Sequence, residues 1–117
     1  MGSTRTEGRT VNQLTTSTRQ HTHCTVITVT GEMDFDTSPA LSRAAELIPP
    51  RCTTLQIDLS GVSFMDAGGL NLLLRLRRHH SAGGSSFTLT GLRHQPTRLF
   101  RLTGTYELFT IGPTLPR

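Results

Sequence analysis

The sequence predicts an α/β fold: a single, mostly parallel β-sheet of about four or five strands, with helices packed on one face. Three observations lead there. Strand-like and helix-like periodicities alternate along the chain, and such alternation implies parallel strands joined by helical crossovers. The later strands pair apolar with polar residues, Leu55/Gln56, Ile57/Asp58 and Leu59/Ser60, then Phe87/Thr88 and Leu89/Thr90. A sheet covered on both faces would be apolar at every position, so these strands bury one face only. Finally, 117 residues make one domain with a single core.

Residues 1–10 are polar and aperiodic and are expected to form a disordered tail, 11–112 the domain, and 113–117 a second tail. Val11 to Arg19 is Thr-rich with little apolar content and is expected to be an edge strand. Gln20 to His23 then turns into Cys24 to Thr30, β-branched almost throughout, with Gly31 closing the strand. Ser38 as N-cap and Pro39 at the first helical position start a helix, because Pro has no N–H to leave unpaired there. Leu41, Ala44, Ala45 and Ile48 give it an apolar face, and Pro49 and Pro50 stop it.

The central stretch runs from Leu55 to Arg78. Its strand gives way at Met65 to a helix whose stripe is Gly69, Leu72, Leu73 and Leu76, flanked by Leu70 and Leu74. Asp66 is the natural N-cap, since its carboxylate can accept from the first-turn amides at the positive end of the helix dipole. Gly83 and Gly84 end this helix after a basic last turn in which imidazolium at His79 and His80 would suit the dipole. Phe87 and Leu89 mark the next strand. Pro96 opens a short helix with Leu99, Phe100 and Leu102 inward and Gly104 at its end, and Tyr106 to Ile111 reads as a last short strand.

Composition narrows the function. No apolar run approaches the roughly 20 residues of a membrane span, and the N-terminus lacks a signal-peptide core, so a cytoplasmic protein without membrane insertion is expected. Formal charge is +4 and all twelve basic residues are Arg. They are scattered, and the chain has no Trp and one Tyr, which speaks against nucleic acid as a partner. Cys24 and Cys52 are too widely spaced for a metal knuckle or redox dithiol. Reduced thiols are expected, though both precede strands that should be neighbours. The pairs His21/His23 and His79/His80 have no carboxylate or thiol beside them to complete a metal site. No cofactor is implied.

The fold places the Asp34–Asp36 loop and the Asp66–Gly69 turn side by side at the C-terminal edge of adjacent strands, where open α/β sheets meet ligands and partners. Paired carboxylates can serve as general acid and base, but no His, Cys or Lys stands in either loop and there is no glycine-rich phosphate cradle, so an enzyme is not expected. Asp34, in a loop with no cap to make, is the better contact candidate. Phe35, Leu70 and Met33 would supply apolar anchors, with Met33 equally readable as core.

Four separated motifs carry a resemblance: Thr30-Gly31-Glu32-Met33-Asp34, Ile57-Asp58-Leu59-Ser60-Gly61-Val62, Phe64-Met65-Asp66-Ala67-Gly68-Gly69-Leu70, and Leu102-Thr103-Gly104. In this order and spacing, over about residues 11 to 112, the chain resembles the STAS domain, and within it the bacterial anti-sigma-factor antagonists. The resemblance implies a binding protein that sequesters an anti-sigma factor, usually of serine-kinase fold, and thereby releases a sigma factor. It places the partner-binding residues at Asp34, Phe35, Asp36, Asp66, Ala67, Gly68, Gly69 and Leu70. The family's switch is a Ser or Thr in an Asp-Ser-Ser-Gly-Leu type motif, phosphorylated by the anti-sigma kinase. Here Ala67 and Gly68 hold the two hydroxyl positions, and the usual phosphoacceptor falls on Gly68. Binding without phosphoregulation at this helix is therefore expected, by a monomer or weak dimer. The alternative is an STAS-type scaffold or assembly subunit of a larger signalling or lipid-transport complex, in which other STAS chains would be partners.

Overall fold

The computed structural model describes residues 13–48 and 53–112. In chain order these form β1 (Leu14–Gln20), β2 (Cys24–Met33), α1 (Pro39–Glu46), β3 (Thr54–Met65), α2 (Ala67–Ala82), β4 (Ser86–Thr90), α3 (His94–Thr103), a 3₁₀ turn (Tyr106–Leu108) and β5 (Thr110–Ile111). The sheet order is β1-β2-β3-β4-β5. β1 pairs antiparallel with β2, and every other pairing is parallel. The fold is thus the mostly parallel α/β sheet expected. The expectations for the two tails, Val11, Pro49, Pro50 and Cys52 lie outside the described residues.

The core uses one side of the sheet. Ile27, Val29, Leu55, Ile57, Leu59, Phe87 and Leu89 point to that side and join Leu41, Leu72, Leu73 and Phe100 from the three helices in one cluster. The opposite side carries Val26, Thr28, Gln56, Thr88 and Thr90, none of which belongs to that cluster. Asp58, on this polar side, is nonetheless buried at 6% exposure, because its Oδ1 turns back to accept from the Ser60 N–H at 3.0 Å beneath the Gly91 turn.

Several boundaries differ from the sequence expectation. β2 does not stop at Gly31. That residue adopts φ 124°, a conformation only glycine takes readily, and the strand continues through a register shift to Met33. β3 runs through Gly61 to Met65, the residue at which the sequence places the change to helix. Ser38 stands at the α1 N-cap position but in helical conformation, and its hydroxyl donates to the Asp34 carbonyl at 2.6 Å instead of capping the helix. α1 ends at Glu46, which leaves Ile48 beyond it. Leu102 is 76% exposed, on the outer side of α3. The expected last strand is mostly the 3₁₀ turn, and only Thr110 and Ile111 pair with β4.

His80 also departs from expectation. It stacks on Phe87 with centroids 6.0 Å apart and planes at 24°. Burial, with His79 alongside as a second cause, lowers its pKa below 6.5, so this environment disfavours the imidazolium that the helix dipole would welcome. The folded protein therefore binds fewer protons than the unfolded chain on the acid side of 6.5. Stability present above that pH is lost as pH falls through the folded value. Urea midpoints should drop between about pH 7.5 and about pH 5.5, and His80→Gln should flatten part of that slope.

Candidate functional site

Parallel pairing of β2 with β3, in a register that sets Met33 opposite Met65, brings the segments after both strands to one rim. Asp66 N–H donates to the Met33 carbonyl at 3.2 Å, joining the two strand ends. Asp66 then begins α2 as the sequence predicts. Its Oδ1 accepts from Gly68 N at 2.8 Å and Gly69 N at 3.2 Å, with Asp66 itself extended. This satisfies first-turn amides that would otherwise have no partner.

The loop Asp34–Ser38 is a built turn. Thr37 N donates to Asp34 Oδ1 and Asp34 N to Thr37 Oγ1, both at 2.9 Å. This reciprocal arrangement is a capping box closing the turn that leads into α1. Asp34 therefore does have a cap to make, contrary to the sequence reading of its loop. Asp36, next but one, is exposed, and Phe35 projects at 79% exposure.

Loop and helix touch at glycine. A β-carbon at Gly68 would lie 2.7 Å from both N and Cα of Phe35, and one at Gly69 2.5 Å from the Met33 carbonyl oxygen. Real β-carbons do not come so close, so the α2 start sits against the loop with no room for a side chain at either position. Ala67, by contrast, is exposed. Of the two hydroxyl positions in the resemblance, Ala67 has space for a larger side chain and Gly68 does not.

The other expected anchors are internal. Leu70 is 4% exposed, Met33 fully buried and Gly69 buried. Stripe periodicity had already marked Gly69 and Leu70 as inward, and the helix turns them to the core. The rim surface is thus Phe35, Asp36, Ala67 and the edge of Gly68. A groove of ≈ 550 Å³ opens beside it between α1 and α2, lined among others by Arg43, Glu46, Asn71 and Arg75. Sequence reasoning missed Asn71 and Arg75, although their helical spacing from Gly68 places all three on one face. Gln95 was also missed. From α3 it accepts from Met65 N at 2.8 Å and donates to Met65 O at 2.9 Å, standing in for a neighbouring strand and pinning the residue before Asp66. No local sequence signal announces such a contact.

Among the described residues no cluster of His, Cys, Asp or Glu could hold a metal ion, and no helix is long and apolar enough to cross a membrane.

Comparisons with known proteins agree with this architecture. An anti-sigma-B factor antagonist of Listeria monocytogenes is 34% identical over 86 residues, which are 73% of this chain and 75% of that protein. The anti-sigma-F factor antagonist RsfB of Mycobacterium tuberculosis is 28% identical over 102 residues, 85% of this chain and 84% of the relative. The crystal structure of an anti-sigma factor antagonist from Mycobacterium paratuberculosis superposes with a TM-score of 0.75 at 32% identity, covering 87% of each chain. The family model described as "Mlab, STAS domain" matches residues 16–110, nearly the whole of the described fold. This chain belongs to the STAS-domain family.

Proposed function

We propose that the protein is an anti-sigma-factor antagonist, a binding protein and not an enzyme, which captures an anti-sigma factor of serine-kinase fold and so frees a sigma factor. The observation that carries this reading is the close seating of Gly68 against Phe35. It makes the loop and the α2 start one rigid rim, with an aromatic ring and the Asp36 carboxylate presented outward. A preorganised surface with an exposed aromatic anchor suits protein recognition. The names of the relatives support the anti-sigma assignment. Asp36, exposed and outside the capping box, is the acidic contact on this rim. Asp66 and Asp34 hold its shape.

Ala67 and Gly68 offer no hydroxyl, so capture is not switched by phosphorylation at this helix. Incubation with candidate anti-sigma kinases and ATP should leave the peptide from Leu55 to Arg75 unmodified by mass spectrometry. A phosphopeptide there would overturn the point. Ala67→Ser should leave stability unchanged, since its side chain enters solvent.

The principal test is a pull-down from the native cell with the wild-type chain as bait, followed by mass spectrometry. Recovery of an anti-sigma protein of kinase fold is expected. Recovery instead of other STAS chains or a transporter would make the protein an assembly subunit. Asp36→Arg should weaken capture about tenfold, the effect of reversing one interfacial charge, with an unchanged melting temperature.

A further inference from the structure

The two edges of the sheet are unlike. β5 is two residues long, whereas β1 has seven, and among the described residues nothing pairs with its outer side. Thr15 and residues 17–20 are exposed. Long edge strands are ordinarily protected by Lys, Pro or a bulge. β1 has neither Lys nor Pro, its register with β2 runs unbroken, and its one charge is Arg19.

The direction of its free hydrogen-bonding groups follows from the hairpin. His21 N donates to the Cys24 carbonyl at 2.7 Å, so the pair flanking the turn is hydrogen-bonded. Alternation in an antiparallel ladder then makes Arg19/Val26, Ser17/Thr28 and Thr15/Thr30 the hydrogen-bonded pairs with β2. Leu14, Thr16, Thr18 and Gln20 accordingly direct N–H and C=O away from the sheet.

We propose that β1 is the pairing strand of a weak homodimer, in which two copies join their sheets antiparallel about a two-fold axis at Ser17. That register sets Thr16 opposite Thr18 of the second copy and Leu14 opposite Gln20, so all of the outward groups find partners at once. A register shifted by two residues leaves some of them unpaired. Arg19 falls opposite Thr15, which keeps the two positive charges apart, and Ser17 meets its own counterpart. The strand is self-complementary in both backbone and charge, which is what an isologous interface demands. Little apolar surface is added, since Leu14 is already buried, and the association is correspondingly weak and concentration-dependent. In this dimer the two copies of β2 run in opposite directions. The rims therefore lie at opposite ends of the joined sheet, and partner capture does not depend on pairing.

Sedimentation velocity over a series from micromolar to millimolar protein should show reversible dimerisation. Thr18→Pro removes an N–H that faces outward and leaves the β1–β2 ladder intact. Ser17→Lys sets two like charges face to face at the axis while adding only a solvent-exposed side chain to the monomer, so it serves even if Thr18→Pro unfolds. Each should weaken dimerisation at least about tenfold, as expected for losing one or two hydrogen bonds or for opposed charges. In a background with Cys24→Ser and Cys52→Ser, Ser17→Cys should oxidise to a linked dimer. Facing residues of a non-hydrogen-bonded pair have Cα atoms about 4.5 Å apart, within disulfide range. Thr15→Cys, which faces Arg19, should not. A monomer throughout the series, dimerisation untouched by either edge variant, or cross-linking no faster at 17 than at 15 would overturn the proposal. Ser17→Lys should still capture the anti-sigma partner, so failure of this proposal and failure of the functional assignment are read separately.

Discussion

Gly69→Ala is expected to destabilise the protein by about 1–3 kcal/mol, although alanine is the better helix former. In an exposed helix the change would gain about 1 kcal/mol. Here the added β-carbon would stand 2.5 Å from the Met33 carbonyl oxygen and 2.9 Å from Met33 Cγ. That carbonyl cannot turn aside, because it accepts from Asp66 N and belongs to the end of β2. Either α2 withdraws from the sheet or β2 bends, and both open the packing around Leu70 and Leu73. Gly68→Ala meets an obstacle at 2.7 Å, the Phe35 backbone, whose displacement would disturb the rim but open none of the core packing. Its melting temperature should fall less than that of Gly69→Ala, while its partner binding falls more. Thermal unfolding and the pull-down, run on both variants, check the order. A Gly69→Ala protein more stable than wild type would contradict the close packing described here.

Phe35→Ala should reduce capture of the anti-sigma partner by about thirtyfold or more, the usual consequence of removing a central aromatic anchor, with no change in melting temperature. Its ring is 79% exposed in the free protein and contributes little to folding. Leu102 is as exposed at 76%, on α3, and Leu102→Ala is the control that should leave capture unaltered. Binding titrations with the purified partner distinguish the two. Equal affinities for wild type and Phe35→Ala would move the contact surface elsewhere on the molecule.

What could be read from the chain followed the strength of its periodic signals. The order of elements, the parallel pairing and the one-sided core were legible because Leu55, Ile57 and Leu59 repeat at every second position, while Leu70, Leu73 and Leu74 repeat every third or fourth. Asp66 was recognisable as a cap because capping is local chemistry. The losses occurred where local and tertiary effects compete. Gly31 looks like a strand end, but in the fold it is a bulge that lets β2 carry on to Met33. Asp34 looked free because its partner Thr37 closes the turn through side-chain bonds that no periodicity encodes. His80 followed the dipole rule until Phe87, brought back over the helix end by the Gly83–Gly84 turn, covered it. The rim itself was anticipated in position but not in surface: Leu70 and Met33 are apolar enough to anchor a partner, and the core takes them first.

The twin hydrogen bonds from the Gln95 amide to Met65 tie α3 to the strand end that feeds the proposed recognition edge. The edge is consequently stiff before any encounter. A partner that docks on it spends little of its binding free energy on ordering the loop, and that saving appears as tighter binding. Loosening α3, far from any touching surface, would then be felt at the interface as a slackened grip.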